Sequence, residues 1–466
     1  MTSTLIKGGL VVTDAEETQA DLLVQDGRIA ALAARNSAAA AAFTADRTLD
    51  ATGKYVIPGG VDAHTHMDFP FGGTFSSDDF ETGTRAAAWG GTTTIVDFAV
   101  QTKGQALREG LDRWHAKADG RCAVDYGFHM ILSDVDEGTL QEMDTLVEEG
   151  VTSFKMFMAY PGVFYSDDGQ ILRAMQRTAD NGGLTMMHAE NGIAIDVLVE
   201  QALAAGRTDP RHHGEVRKAL LEAEATHRAI QLARVAGAPL YVVHVSAAEA
   251  VEQLALARGK DLPVFGETCP QYLYLSTDNL AEPDFGGAKY VCSTPLRPRE
   301  HQAALWRGLR TNDLQVVSTD HCPFCFTGQK ELGRGDFSRI PNGMPGVEHR
   351  MDLLHQAVVD GHLTRRRWID LACATPARMF GLHPRKGTLA PGADADVVIY
   401  DPHAEQTLSA ATHHMNVDYS AYEGKRLTGR VETVLSRGEP VLERGTYTGR
   451  AGHGRYVPRG TCQFLG

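Results

Sequence analysis

Between residues 56 and 380 short apolar runs recur along the chain, each followed by a longer stretch that opens on polar residues and then carries apolar positions three or four apart. Short apolar runs bounded by turn formers read as buried strands, and the wider spacing between them reads as helices that pack one face inward. Eight runs can be counted, at 56–63, 93–98, 124–132, 152–158, 184–187, 240–243, 264–267 and 314–318. One intervening helix is read from Val216, Leu220, Ala223, His227 and Ile230, which predicts that His227 is a core histidine. Eight strands alternating with helices predict an α/β fold, a (β/α)8 TIM-type barrel over 56–384, whose chemistry gathers at the C-terminal ends of its strands.

The chain ends follow another rhythm. The first 55 residues alternate short β-rich runs with turns, and Asp26-Gly27 between two of them predicts a tight hairpin. The Ala-rich stretch 37–42 lacks amphipathic spacing and reads as a solvated loop or short helix. A Gly- and Pro-punctuated strand pattern returns in 385–440, so 1–55 and 385–440 are expected to form one small β-sandwich domain together. The remainder, 441–466, is expected to be a C-terminal arm. It carries Arg444, Arg450, Arg455 and Arg459 against Glu443 alone, and its expected place is on a neighbouring acidic subunit.

Charge narrows the function. With 45 Lys and Arg against 59 Asp and Glu the net charge is −14, and no block of cations compensates, so nucleic acid and membrane surfaces are not expected partners. No run of 18 apolar residues and no leader-like start is present, which suggests a cytoplasmic protein. Seven dispersed cysteines fit reduced thiols. Cys322-Pro323-Phe324-Cys325 has C-x-x-C spacing, but no second pair follows, so neither a zinc nor a redox role is expected of it.

The candidate chemistry sits where the barrel pattern directs attention. His64-Thr65-His66 follows the first run, and on an extended segment residues two apart point the same way. The fifth and sixth runs lead into His188 and His244, and the eighth leads into Asp320. Strand ends that deliver imidazoles and a carboxylate to one mouth predict a metal centre. Nitrogen and carboxylate ligands without thiolate suit Zn2+ ahead of manganese, cobalt or nickel. Lys155, at the end of the fourth run, is an anomaly, since an ammonium among apolar neighbours and divalent cations meets both desolvation and repulsion. Carboxylation by CO2 would make it an anionic ligand able to bridge two metals; the alternative is a lysine snorkelling from the rim.

Together, His64-Thr65-His66, the run Phe154-Lys155-Met156-Phe157-Met158-Ala159-Tyr160, His188-Ala189-Glu190-Asn191, His244-Val245-Ser246 and Thr319-Asp320-His321-Cys322-Pro323 resemble the cyclic amidohydrolases of the dihydropyrimidinase and D-hydantoinase branch. The flanking β segments match as well, so the resemblance spans nearly the whole chain. It implies that His64, His66 and Asp320 hold one metal ion and His188 and His244 a second, bridged by carboxylated Lys155 and a hydroxide. It further implies that Tyr160 donates to the substrate carbonyl oxygen, that backbone groups of Ser293 and Asn342 read the ring amides, and that the assembly is a homotetramer or homodimer. Relatives commonly have Pro where this chain has Thr294, which puts the fine geometry beside Ser293 in question.

The implied reaction is hydrolytic ring opening of a small cyclic ureide or imide, a 5-substituted hydantoin or a 5,6-dihydropyrimidine, to an N-carbamoyl amino acid. Metal-bridging hydroxide attacks, and Asp320 relays its proton to the leaving nitrogen. Allantoin hydrolysis is an alternative, as is dihydroorotase activity, for which relatives place Arg two residues beyond His-x-His. Asp68 stands there and is expected to repel a substrate carboxylate. Met67, Phe69, Phe71, Phe157 and Phe164 are read as an apolar mouth lining or else as ordinary core. Some relatives of this fold have lost the ligands and act as non-enzymatic assembly proteins, but all six ligand positions are filled here.

Overall fold

A computed structural model describes residues 3–465. Among them, eight parallel strands pair in chain order: Gly60–Thr65, Thr92–Val100, Asp125–Ile131, Ser153–Phe157, Leu184–His188, Leu240–Val242, Val264–Thr268 and Val316–Val317. Every residue in them is buried, as a parallel sheet covered by helices requires. The barrel closes unevenly. Among the described residues the first strand meets the segment that follows the eighth through one bridge, Thr65 to His321, with His66 N donating to His321 O at 2.9 Å. Side chains lace the rest of this seam. The wholly buried Arg350 donates from Nη1 to Val61 O and Val317 O, both at 3.0 Å, and Asp62 accepts from the Thr319 amide (3.2 Å) and hydroxyl (2.6 Å).

The apolar run 56–63 divides between two sheets. Tyr55–Pro58 pairs antiparallel with Val397–Thr407 in the flanking sheet, and the barrel begins at Gly60. The crossing needs a residue without a side chain, because a Cβ on Gly59 would lie 2.1 Å from Thr93 Oγ1.

Nine strands, from Ser3–Val12 to Tyr55–Pro58 at one end and from Val397–Thr407 to Thr446–Tyr447 at the other, form the flanking sheet of the described residues. The expected sandwich layers are thus one continuous hydrogen-bonded sheet, built around a core of its own that includes Ile6, Val11, Leu22, Ile29, Ile399 and Leu435. The expected hairpin is present: Gln25 pairs with Arg28, and Asp26 (φ 50°) and Gly27 (φ 78°) take the left-handed conformations of a two-residue turn. Ala38–Ala41 is a short helix capped by Ser37. No helix among the described residues is long and apolar enough to cross a membrane.

Two expectations need correcting. The helix Ala219–Ala236 buries Glu222, Ala223, Ala225, Thr226, Ala229, Ile230 and Ala233, whereas His227 is exposed and contacts Gln253, and Leu220 is 69% exposed. Val216 ends a separate short helix, Arg211–Val216. The inner face is made of small residues and of Glu222, which is satisfied by Arg297 (2.7 Å) and the Ser246 hydroxyl (2.6 Å), so hydrophobicity alone misplaces the register. The segment 441–466 is likewise docked on its own barrel. After the strands Glu439–Glu443 and Thr446–Tyr447, Gly454 N donates to Cys122 O (2.8 Å), Val457 N to Tyr126 O (2.7 Å) and Arg459 N to Gly150 O (3.0 Å). The Arg459 guanidinium is buried against Ser153 Oγ (2.8 Å) and Phe380 O (3.3 Å), so this arginine is not free for a neighbour, whereas Arg444, Arg450 and Arg455 are exposed.

Candidate functional site

His64, His66, Lys155, Tyr160, His188, His244, Ser293, Asp320 and Asn342 all line one cavity at the C-terminal mouth of the barrel. The inner space is about 50 Å³ and meets, at Phe71, Tyr160 and Asn342, an outer vestibule of about 890 Å³. Phe69, Phe71, Phe157 and Phe164 complete the inner wall. Met67 does not: it is wholly buried against helix Phe80–Trp89, where a Cβ on Gly83 would fall 2.2 Å from its sulfur. Asp68 is also absent from the lining and faces Lys117 at 3.1 Å, so it cannot act by repelling a substrate carboxylate.

Three of the cavity residues sit in the left-handed region just past their strands: Tyr160 (φ 62°), His244 (φ 38°) and Asp320 (φ 52°). Non-glycine residues hold that conformation only where surrounding contacts enforce it, and such strain concentrates at functional sites.

His64 Nε2 lies 3.1 Å and His66 Nε2 3.2 Å from Asp320 Oδ1. Yet His64 Nε2, together with His66 Nδ1 and His244 Nδ1, is buried without an aligned hydrogen-bond partner. His64 Nε2 and Asp320 Oδ1, 3.1 Å apart without mutual alignment, suit ligands of one ion better than partners of each other, given metal bonds of about 2.0–2.1 Å. The rings of His188 and His244 lie 4.6 Å apart beside them, and those of His64 and His244 5.5 Å apart. His64, His66 and Asp320 are grouped closely enough to hold a cation.

The electrostatics favour ligand forms. Burial pulls His66 down to about 4, against the pull of Asp320, and drives His244 well below its ordinary value, helped by His188. His188 is lowered by burial despite Glu190. These three imidazoles therefore offer lone pairs at neutral pH. His64 goes the other way: burial opposes its charge, but Glu267 and Asp320 outweigh it and raise its affinity for a proton. Asp320, also opposed by burial, is held well below the carboxylate range chiefly by His64.

Lys155 is 1% exposed, which excludes the snorkelling alternative. Its Nζ lies 4.9 Å from the ring centres of both Phe98 and Phe157, and burial lowers the amine to about 8 in spite of Asp320 and Glu267. Burial raises the Tyr160 phenol, so it keeps its proton although Arg217 stands 5.4 Å from the ring.

The Ser293 and Asn342 segments meet, with Asn342 Nδ2 donating to Ser293 Oγ at 2.9 Å. Among the described residues the backbone N–H and C=O of both have no protein hydrogen-bond partner, whereas neighbouring Gly343 N donates to Val291 O at 3.0 Å. The Ser293–Thr294 peptide is cis. Thr294 donates from its hydroxyl to His244 O at 3.0 Å, and its carbonyl accepts from the Tyr272 hydroxyl at 2.9 Å.

Sequence reasoning missed the supporting carboxylates. Glu267, wholly buried at the end of the seventh strand, accepts from His64 Nδ1, from the Tyr241 hydroxyl at 2.9 Å and from His244 N at 3.2 Å. Glu190 accepts from His188 Nε2 at 2.8 Å and Arg217 Nη1 at 2.6 Å. Such carboxylates orient metal-binding imidazoles. The signal available was the one that found Asp320, an acid at a barrel strand's C-terminal end. The seven cysteines, Cys322 and Cys325 included, carry free thiols in the described residues.

A family model described as the amidohydrolase family matches residues 55–441. Over 462 residues, 99% of either chain, the sequence is 80% identical to a D-hydantoinase of Streptomyces coelicolor. It is 51% identical over 457 residues to a D-hydantoinase of Geobacillus stearothermophilus, covering 98% of this chain and 96% of that one. The fold matches the crystal structure of a dihydropyrimidinase from Brevibacillus agri NCHU1002 with a TM-score of 0.97 at 48% identity, covering 98% and 99% of the two chains.

Proposed function

The chain belongs to the amidohydrolase family, and from that premise we infer that it is a hydrolase opening 5-substituted hydantoins or 5,6-dihydropyrimidines to N-carbamoyl amino acids. The observation that carries this reading is the convergence of His64, His66, Lys155, His188, His244 and Asp320 on one cavity beside Tyr160. The orphaned imidazole nitrogens fit a divalent centre, with zinc the metal that nitrogen and carboxylate donors suit first. His64, His66 and Asp320 would hold one ion and His188 and His244 the other. Lys155, whose amine burial lowers to about 8, would add to CO2 with loss of one proton and so offer the centre an anionic ligand. When bound, the ion pair provides a water activated for attack and polarises the scissile carbonyl.

The chain's own groups do the rest. The free backbone groups of Ser293 and Asn342 bind the ring amides and fix which carbonyl faces the centre. Tyr160, kept protonated by burial, donates from its phenol to the carbonyl oxygen as negative charge builds there. Asp320 takes the proton of the attacking water on its carboxylate and returns it to the departing ring nitrogen. Phe69, Phe71, Phe157 and Phe164 exclude bulk water and offer an apolar wall to a substituent on the ring carbon. The inner lining contains no Arg to grip a substrate carboxylate, which disfavours dihydroorotate.

Around this centre we place a β domain drawn from both chain ends, a catalytic barrel from Gly60 to 384 and a terminal segment after Tyr447, assembled as a homotetramer or homodimer. Free thiols suit a cytoplasmic setting. The test is a turnover assay of zinc- and bicarbonate-loaded enzyme against hydantoin, aryl hydantoins, dihydrouracil, allantoin and dihydroorotate. Lys155→Ala is expected to lose metal and turnover together. Fastest turnover of dihydroorotate, or full metal content in Lys155→Ala, overturns the reading.

A further inference from the structure

Lys330 opens a short 3-10 turn, Lys330–Gly333, and is wholly buried without lining the inner cavity. No carboxylate of the described residues lies within ion-pairing distance. Burial pulls its amine to about 7, and the groups that raise it are only the thiols of Cys292 and Cys322. An uncompensated buried ammonium is expensive, so its hydrogen bonds must account for it. They do so completely: Nζ donates to Val291 O at 2.8 Å, Pro341 O at 2.7 Å and Gly343 O at 2.8 Å. All three contacts can be donor bonds only in the ammonium form, which has three donors and no acceptor, so they favour the charge that burial opposes.

Those carbonyls belong to the two segments that flank the candidate ring site. Val291 precedes Cys292-Ser293, and Pro341 and Gly343 bracket Asn342. By drawing the carbonyls on both sides of Asn342 toward one point, Lys330 fixes the peptide planes between them and leaves the Asn342 backbone groups unpaired. The same nitrogen anchors the Ser293 segment at Val291, whose carbonyl also accepts from Gly343 N at 3.0 Å. Gly343 allows the close passage, since with φ 153° a Cβ there would lie 2.1 Å from Cys322 O.

We propose that Lys330 is a positioning residue for ring recognition: its ammonium sets the spacing and orientation of the Ser293 and Asn342 segments and acts on the reaction only through them. This rests on the reading that those segments bind the ring amides, so the experiment separates the two claims. Metal-loaded wild type, Lys330→Met and Lys330→Gln are compared on a 5-substituted hydantoin and its ring-N-methyl analogues, with metal content measured alongside. Wild type is expected to favour the unmethylated ring by at least about tenfold in kcat/KM. Lys330→Met is expected to raise KM by about tenfold more than it lowers kcat, and to lose most of that preference with metal content unchanged. Lys330→Gln, which keeps two N–H donors, should fall between. Equal use of methylated and unmethylated rings by wild type overturns the ring-binding reading itself. Preference intact in both variants overturns the role of Lys330 alone. Loss of folding or of metal in both variants also overturns it, because Lys330 would then be a support of the barrel and not of ring reading.

Discussion

Tyr160 stands at the neck between the inner cavity and the vestibule, in a left-handed conformation that a tyrosine holds only under constraint. Its ring is flanked by Phe71, Phe157 and His188, so removing the hydroxyl leaves the packing in place. Tyr160→Phe is therefore expected to lower kcat by about 10²–10³ with metal content and KM little changed, as for loss of one oxyanion donor; steady-state kinetics with metal analysis would check it, and undiminished kcat would remove the phenol from the reaction. The imidazoles, amine and carboxylate of the cavity were legible because each stands out at a strand's end against apolar neighbours, whereas Tyr160, Ser293 and Asn342 were reached only through the family resemblance. Glu267 ends a strand just as visibly but was passed over, because only its contact with His64, 203 residues away, shows what it does. Lys330 was invisible for a different reason: its partners are backbone carbonyls, which every residue possesses. Met67 took the second of its two readings, ordinary core, and Asp68 misled because the place of an Arg in relatives was taken to face the substrate, whereas Asp68 (φ 48°) faces Lys117.

At the scale of elements, all eight barrel strands were legible from apolar runs, but the change of sheet at Gly59 was not, because both sheets demand buried apolar residues on either side of it. The helix Ala219–Ala236 shows where periodicity fails: with six alanines in eighteen residues its packing face is chosen by size, and the bulky residue Leu220 is left outside. Two substitutions distinguish the registers. Leu220→Gln is expected to change stability by less than about 0.5 kcal/mol, whereas Ala229→Leu, at a position with no exposed surface, is expected to cost about 1–3 kcal/mol by overpacking. Denaturant titration of both variants reads the difference, and the reverse ranking would restore the register in which His227 faces the core.

The whole molecule is joined by a buried charge cluster. Lys386 Nζ lies 2.6 Å from Asp125 at the start of the third barrel strand, 2.8 Å from Asp396 and 3.0 Å from Asp394, while Arg437 also binds Asp125. Burial opposes the charge of Asp394, but Lys386 and Arg385 outweigh it and hold the carboxyl below its ordinary 3.8. The unfolded chain then takes up the proton first, so this contribution is whole above about pH 4 and drains away as pH falls through the lowered value. Asp394→Asn is expected to destabilise the protein by about 2 kcal/mol at neutral pH and to flatten the loss of stability below pH 4; acid unfolding followed by circular dichroism tests this, and an unchanged acid limb would refute it. None of this joint could be read from sequence, since its members are scattered from 125 to 437 and look like surface charges.

The laced seam of the barrel bears on how a cation would be taken up between His64, His66 and Asp320. His64 and His66 ride on one lip, Asp320 on the other, and a single peptide bridge ties the two. Uptake of a cation would cinch the hoop from within, so a newly made chain would gain stiffness and reactivity in one event. Metal starvation would then be felt first as a slackened ring, and only afterwards as a missing reagent.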